Sequence, residues 1–141
     1  MGILLFIVLV QGVCGESPCT FVGMFGWFEG GSSTSAHGVA VDASGNVYVI
    51  DTANHRIVKS FPDGSLISWW DLKDRESGKS IVPEGIAVDA SGNVYITDRD
   101  NNSVRKFTSW GNPIQVGGSG GTGDGQFSHP TGIAVDPSGN V

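Results

Sequence analysis

The sequence predicts an all-β fold made by stacking copies of one module, and two observations carry that prediction. Residues 38–51 recur at 85–98, and residues 132–141 begin a third copy. The opening glycines, Gly38, Gly85 and Gly132, are 47 residues apart both times. Two intervals that agree to the residue mark a true repeat, and a period of roughly 20–50 residues is the signature of stacked modules. The second observation is alternation: Val39 and Val41, then Val47 and Val49, are separated by smaller or polar neighbours. That spacing has a period near two, which suits a strand rather than a helix.

Composition agrees. The chain has 141 residues, 22 of them glycine, and 16% charged residues, against ~25% in ordinary domains. So much glycine argues against a helix bundle. With Lys+Arg at 8 and Asp+Glu at 14, the net charge of -6 disfavours a general nucleic-acid binder, which needs a basic surface. It also disfavours attraction to anionic membranes.

At the N-terminus, residues 2–10 form an unbroken apolar run. A membrane-spanning helix needs about 20 such residues, whereas an export-signal core needs about 7–15 followed by small residues at the cleavage site. Cleavage after Gly15 would put Val13 and Gly15 at those small positions. Residues 1–15 are therefore read as a signal peptide, which makes the protein secreted or extracytoplasmic. The run lacks a preceding Lys or Arg, and an uncleaved membrane stub or a buried strand are the alternatives. Cys14 and Cys19 are too few for a disulfide scaffold. Residues 16–35 follow as a connector and the outer strand of a partial first module, expected over 21–28. A 47-residue shift aligns 21–23 with 68–70 and 115–117.

The first full module covers residues 36–82, the second 83–129, and residues 130–141 open the third. Each begins with two strands joined by a five-residue reversal. Its structural positions are Asp42, Gly45 and Asn46; Asp89, Gly92 and Asn93; and Asp136, Gly139 and Asn140. Short acidic and hydroxyl side chains bond their own backbone in such turns, and glycine accepts positive φ. A third strand follows over 56–61, a turn at 62–65, and a fourth strand over 66–70. In the second module residues 110–113 make that turn and 114–116 that strand. Four short antiparallel strands in about 45 residues are the unit of a β-propeller blade.

The pattern Pro-x-Gly-(Ile/Val)-Ala-Val-Asp-x-Ser-Gly-Asn-Val-Tyr-(Val/Ile)-x-Asp-x-x-Asn-x-(Arg)-(Ile/Val) resembles the NHL repeat, read from Pro83-Glu84-Gly85 and Pro130-Thr131-Gly132. The connector over residues 121–130 looks like one common in these propellers. Ala36-His37 replaces Pro-x in the first copy, and Ser103 replaces Arg in the second. The resemblance implies a ring of about six blades. The chain holds about two and a half, so it is expected to be a fragment of a longer propeller, with self-association of several chains as the alternative. An incomplete stack leaves apolar faces uncovered.

No residues stand out as catalytic, cofactor-binding or metal-binding, and no cofactor is expected. Asp42, Asp89, Asp136, Asp51 and Asp98 recur by module and read as acceptors for backbone N–H groups in turns. His37, His55 and His129 occupy three different module positions, so a shared zinc site, which needs three or four converging ligands, is not expected. Some relatives of the family resemble amidating lyases that hold zinc, or gluconolactonases that hold a divalent ion with Glu, Asn and Asp. Glu84, Asn54 and Asn101 are present here, but no family motif places them. Gly118 to Gly123 formally fits G-x-G-x-x-G, yet no helix start follows, so nucleotide binding is rejected. Asn101-Asn102-Ser103 is a possible N-glycosylation acceptor. Arg56, Lys59, Arg105 and Lys106 read as solvated strand residues, and Trp27, Trp69, Trp70 and Trp110 as inter-blade packing.

The resulting expectation is a non-catalytic propeller scaffold that binds a protein or small ligand outside the cytoplasm. One alternative is part of a metal-dependent propeller enzyme, similar to the amidating lyases or gluconolactonases. A second is a sensor or adhesion segment of a larger membrane-bound protein.

Overall fold

Short alternating strands split by Asp-x-Ser-Gly-Asn reversals must fold back on themselves, and the computed structural model shows them doing so. It describes residues 7–10, 21–25, 36–73, 78 and 80–141. Trp27, Cys14 and Cys19 lie outside the described residues.

Strands β3 (Ala36–Val41), β4 (Val47–Asp51), β5 (Arg56–Ser60) and β6 (Leu66–Asp71) form one four-stranded sheet, and β7 (Pro83–Val88), β8 (Val94–Asp98), β9 (Ser103–Phe107) and β10 (Pro113–Gly117) form another. In each sheet the strands lie in chain order and every pair is antiparallel. The registers repeat as well. Val41 opposes Val47 and Ala40 opposes Tyr48 in the first sheet, while Val88 opposes Val94 and Ala87 opposes Tyr95 in the second. A 3-10 turn, Thr52–Asn54, joins β4 to β5.

Near the N-terminus, β1 (Ile7–Val10) pairs antiparallel with β2 (Phe21–Phe25). The strand expected over 21–28 is thus present over Phe21–Phe25, and its partner falls inside the segment read as an export signal. After β10 come two short strands, β11 (Ser119–Gly120) and β12 (Gln126–Phe127), paired in parallel. No helix among the described residues is long and apolar enough to cross a membrane.

The two sheets stack face to face. Tyr48, Ile50, Ile57 and Trp70 of the first meet Ile86, Val94, Ile96 and Phe107 of the second in one buried cluster, with Leu72 and Ile81 of the linker between them. Burying a side chain of this size is worth about 1.5–3 kcal/mol, so this interface is where the pair of sheets gains most of its hydrophobic stabilisation. The inner strands β3 and β7 lie beside one another. Gly38 permits that approach: a Cβ there would stand 3.0 Å from Ile50 Cδ1 and 3.1 Å from Ile86 Cγ2. At Gly85 a Cβ would collide with the carbonyl oxygen of Thr131. Residues 131–133 therefore sit on β7 as β7 sits on β3, which is the radial stacking of propeller blades.

Candidate functional site

Up-and-down strand order sorts the loops onto two rims. One rim carries the reversals at 42–46, 89–93 and 136–140. The other carries the 51–55 and 98–102 loops, together with the starts of the inner strands.

On the first rim the three turns are copies. Asp42 accepts hydrogen bonds from the Ser44 and Asn46 backbone N–H groups, each at 2.9 Å, from Asn46 Nδ2 at 2.9 Å, and from Tyr48 OH at 3.2 Å. Asp89 accepts from Ser91, Asn93 and Tyr95 in the same way, at 2.8–3.1 Å. Asp136 accepts from Ser138 N and from Asn140 N and Nδ2. Gly45, Gly92 and Gly139 take φ of 82°, 82° and 85°. Burial works against the charge on Asp42 and Asp89, but the bonds from asparagine, serine and tyrosine outweigh it and hold both carboxyls below the usual range. Burial, and then the Asp42 charge, push the Tyr48 phenol well up.

The first two turns each lead to a cation. Lys59 Nζ lies 5.0 Å from the Tyr48 ring centroid and 4.9 Å from that of Trp110 in the next blade. Lys106 Nζ lies 4.8 Å from the Tyr95 centroid and 3.8 Å from Asp89 Oδ2. These geometries are cation–π contacts.

The second rim holds two buried ion pairs. Asp51 accepts Arg56 Nε at 2.8 Å and Asn54 Nδ2 at 2.8 and 2.9 Å. Asp98 accepts Arg105 Nε at 2.7 Å, Asn101 Nδ2 at 2.9 Å to both oxygens, and Val82 N at 3.2 Å. The expectation of solvated basic residues is corrected here: Arg56, Lys59 and Arg105 are buried. The two arginines are not at equivalent positions. Ser103 occupies the place of Arg56, and Arg105 reaches the matching aspartate from two residues further along β9. Residues two apart on a strand share a face, so either site serves.

Towards the inner strands, Arg99 Nη1 pairs with Glu84 Oε1 and its Nε with Asp100 Oδ1, each at 2.8 Å. The histidines stay apart in role. His37 Nδ1 is 3.0 Å from Thr52 Oγ1, His55 closes the 3-10 turn in the left-handed conformation, and His129 N donates to Asn102 Oδ1 at 2.8 Å. Among the described residues no group of three or more His, Cys, Asp or Glu is arranged to hold a metal ion. The Asn101 amide also donates to Ser80 O at 3.2 Å, and Ser103 of the same acceptor motif is buried within β9. The glycine motif at 118–123 leads into β12, not a helix.

Tryptophan requires a second correction. Trp70 is buried between the blades, edge-on to Tyr48, and Trp110, though 64% exposed, meets Lys59 of the other blade, but Trp69 is 51% exposed and faces Arg56 of its own blade.

The comparisons place this geometry among known proteins. The NHL repeat model matches residues 34–59 and 82–107. No curated protein matches the chain. A streptogramin B lyase is similar in structure at 16% identity, with a TM-score of 0.60 over 83% of this chain and 36% of that one. Virginiamycin B lyase from Staphylococcus aureus is similar at 21% identity, with a TM-score of 0.57 over 75% of this chain and 33% of that one. Hydrazine synthase from Kuenenia stuttgartiensis is similar at 15% identity, with a TM-score of 0.57 over 81% of this chain and 31% of that one. The chain therefore spans about a third of the length of these solved structures, and identities this low speak to fold alone. The chain thus carries two NHL repeats, each coinciding with the first three strands of a four-stranded antiparallel blade, in a β-propeller architecture.

Proposed function

We propose that this chain is a non-catalytic part of an NHL-repeat propeller, a rigid scaffold that binds a protein or small ligand through its loop rims outside the cytoplasm. The observation that carries this reading is the internal use of charge. Asp51, Asp98, Glu84, Asp42 and Asp89 each have a partner within the blades. An acid, base or nucleophile poised for chemistry needs a group directed at substrate. Exposed, preformed loops on a stiff framework suit recognition instead.

The enzyme alternative draws on the lyases among the structural neighbours, and metal retention tests it. The purified chain is loaded with zinc, manganese or calcium, desalted, and analysed for bound metal. The scaffold reading expects none above background, whereas one tightly held ion per chain favours the metal-dependent enzyme. Export is tested separately by sequencing the N-terminus of the mature protein, which is expected to begin at Glu16.

A further inference from the structure

The two blades differ beside their buried arginines. In the first, Arg56 Cζ lies 5.6 Å from the Trp69 ring centroid, within cation–π range. A 47-residue shift puts Val116 in the place of Trp69. The registers agree, since Trp69 of β6 opposes Val58 of β5 and Val116 of β10 opposes Arg105 of β9. Directly opposed residues share a face of the sheet. Valine and arginine therefore stand together in the second blade, and the valine is far smaller than the indole at the matching position.

A groove of about 580 Å³ opens there, between the end of β6 and its linker on one side and β9 and β10 on the other. Its apolar walls include Ile81, Phe107 and Val116. That volume suits a small molecule, whose sites combine apolar walls with a few polar groups. Lys73, Arg105 and Lys106 border the groove, with Asp71. The Arg105 side chain is nine-tenths buried and held by Asp98 at 2.7 Å. Lys106 is turned to Tyr95 and Asp89. Lys73 is exposed and makes no ion pair among the described residues.

We propose that this groove binds a small planar aromatic anion, whose ring lies against Arg105 as Trp69 lies against Arg56 and whose negative group reaches Lys73. A guanidinium is flat and delocalised, so its face can stack on a ring while its edge is held by a carboxylate. In the first blade the chain's own indole takes this place, and in the second the valine leaves the place to a ligand. The groove uses none of the rim loops described above, so its failure would leave the scaffold reading standing.

The probe is 2-naphthoate, added to the full chain and followed by NMR. It should move the methyl signals of Ile81 and Val116 with a dissociation constant on the order of 0.1–1 mM, ordinary for a ligand of its size. Cyclohexanecarboxylate carries the charge but no ring to stack, and should bind about five-fold more weakly. Val116→Trp supplies the ring from the chain itself, and by filling the groove should weaken binding about ten-fold or more without lowering the melting temperature. Lys73→Ala, at the exposed end, should weaken it about three-fold. Absence of binding, equal binding of cyclohexanecarboxylate, or unchanged binding to either variant would overturn the proposal. So would a chain that sediments as a dimer with β10 protected from hydrogen exchange, since that result gives the groove to a second copy.

Discussion

A single aspartate closes each blade's first reversal, and its carboxylate accepts more bonds than any neighbour could replace. Removing it in Asp89→Ala leaves the Ser91 and Asn93 amides and the Tyr95 hydroxyl without their acceptor. Unsatisfied polar groups of this kind cost about 1–3 kcal/mol. A urea melt should therefore show a lower midpoint for Asp89→Ala, with Asp89→Asn in between; an unchanged curve would sink the structural role. Acid acts on the same groups. Asp42, Asp89 and Asp136 have carboxyls held below the usual range. For Asp136 the Asn140 side chain is the first cause, and for the other two hydrogen bonding overcomes burial. A depressed folded-state value means the stabilisation is complete above the unfolded value, about 3.9 for aspartate, and is lost as pH falls through the folded one. Melting temperature should accordingly hold steady from pH 6 to about pH 5 and decline below about pH 4. Asp89→Asn should flatten part of that decline.

Within the blade, the third strand does more than extend the sheet. Strand β5 presents Arg56 to Asp51, and β9 presents Arg105 to Asp98, from positions two residues apart in the repeat. Taking Arg105 to Leu leaves the fully buried Asp98 without its cation, a loss that typically costs about 3–5 kcal/mol. The paired change Ser103→Arg with Arg105→Val rebuilds the first blade's arrangement in the second. It should recover most of that loss in a denaturant titration, and failure to recover any would show that the two sites are not interchangeable. This is also where sequence and structure part company. The strands, their turns and the 47-residue period were readable from valine alternation and the Asp-x-Ser-Gly-Asn signature, because both are local. Burial of Arg56, Lys59 and Arg105 was not, because it depends on which residue faces each cation from another strand or the next blade. A lone arginine in a strand looks solvated until its aspartate is found. Trp110 packs across the blades as its place in the repeat suggests, on Lys59 of the neighbouring blade, while 64% of it stays exposed.

Across the molecule, the blades depend on each other through one shared cluster, since Tyr48 and Trp70 of the first are covered by Ile86, Val94 and Phe107 of the second. Stacked modules gain stability from their own sheets and from each interface with a neighbour. Here the interface residues are buried branched and aromatic side chains, so neither blade can open without exposing the other. The outer edge of that interface is closed by Trp70 seated on Gly111, whose φ of 82° and lack of a side chain both matter: a Cβ there would overlap the Trp70 ring. Gly111→Ala should thus combine backbone strain with overpacking of about 1–3 kcal/mol. Because the damage falls on the interface and not inside one sheet, it should lower the stability of both blades together. Hydrogen exchange can follow the amides of β4 and β8 separately. In the parent chain the two strands should exchange with the same opening free energy, and in Gly111→Ala both should fall by the same amount. A variant in which β8 loosens while β4 keeps its protection would mean that the blades fold independently.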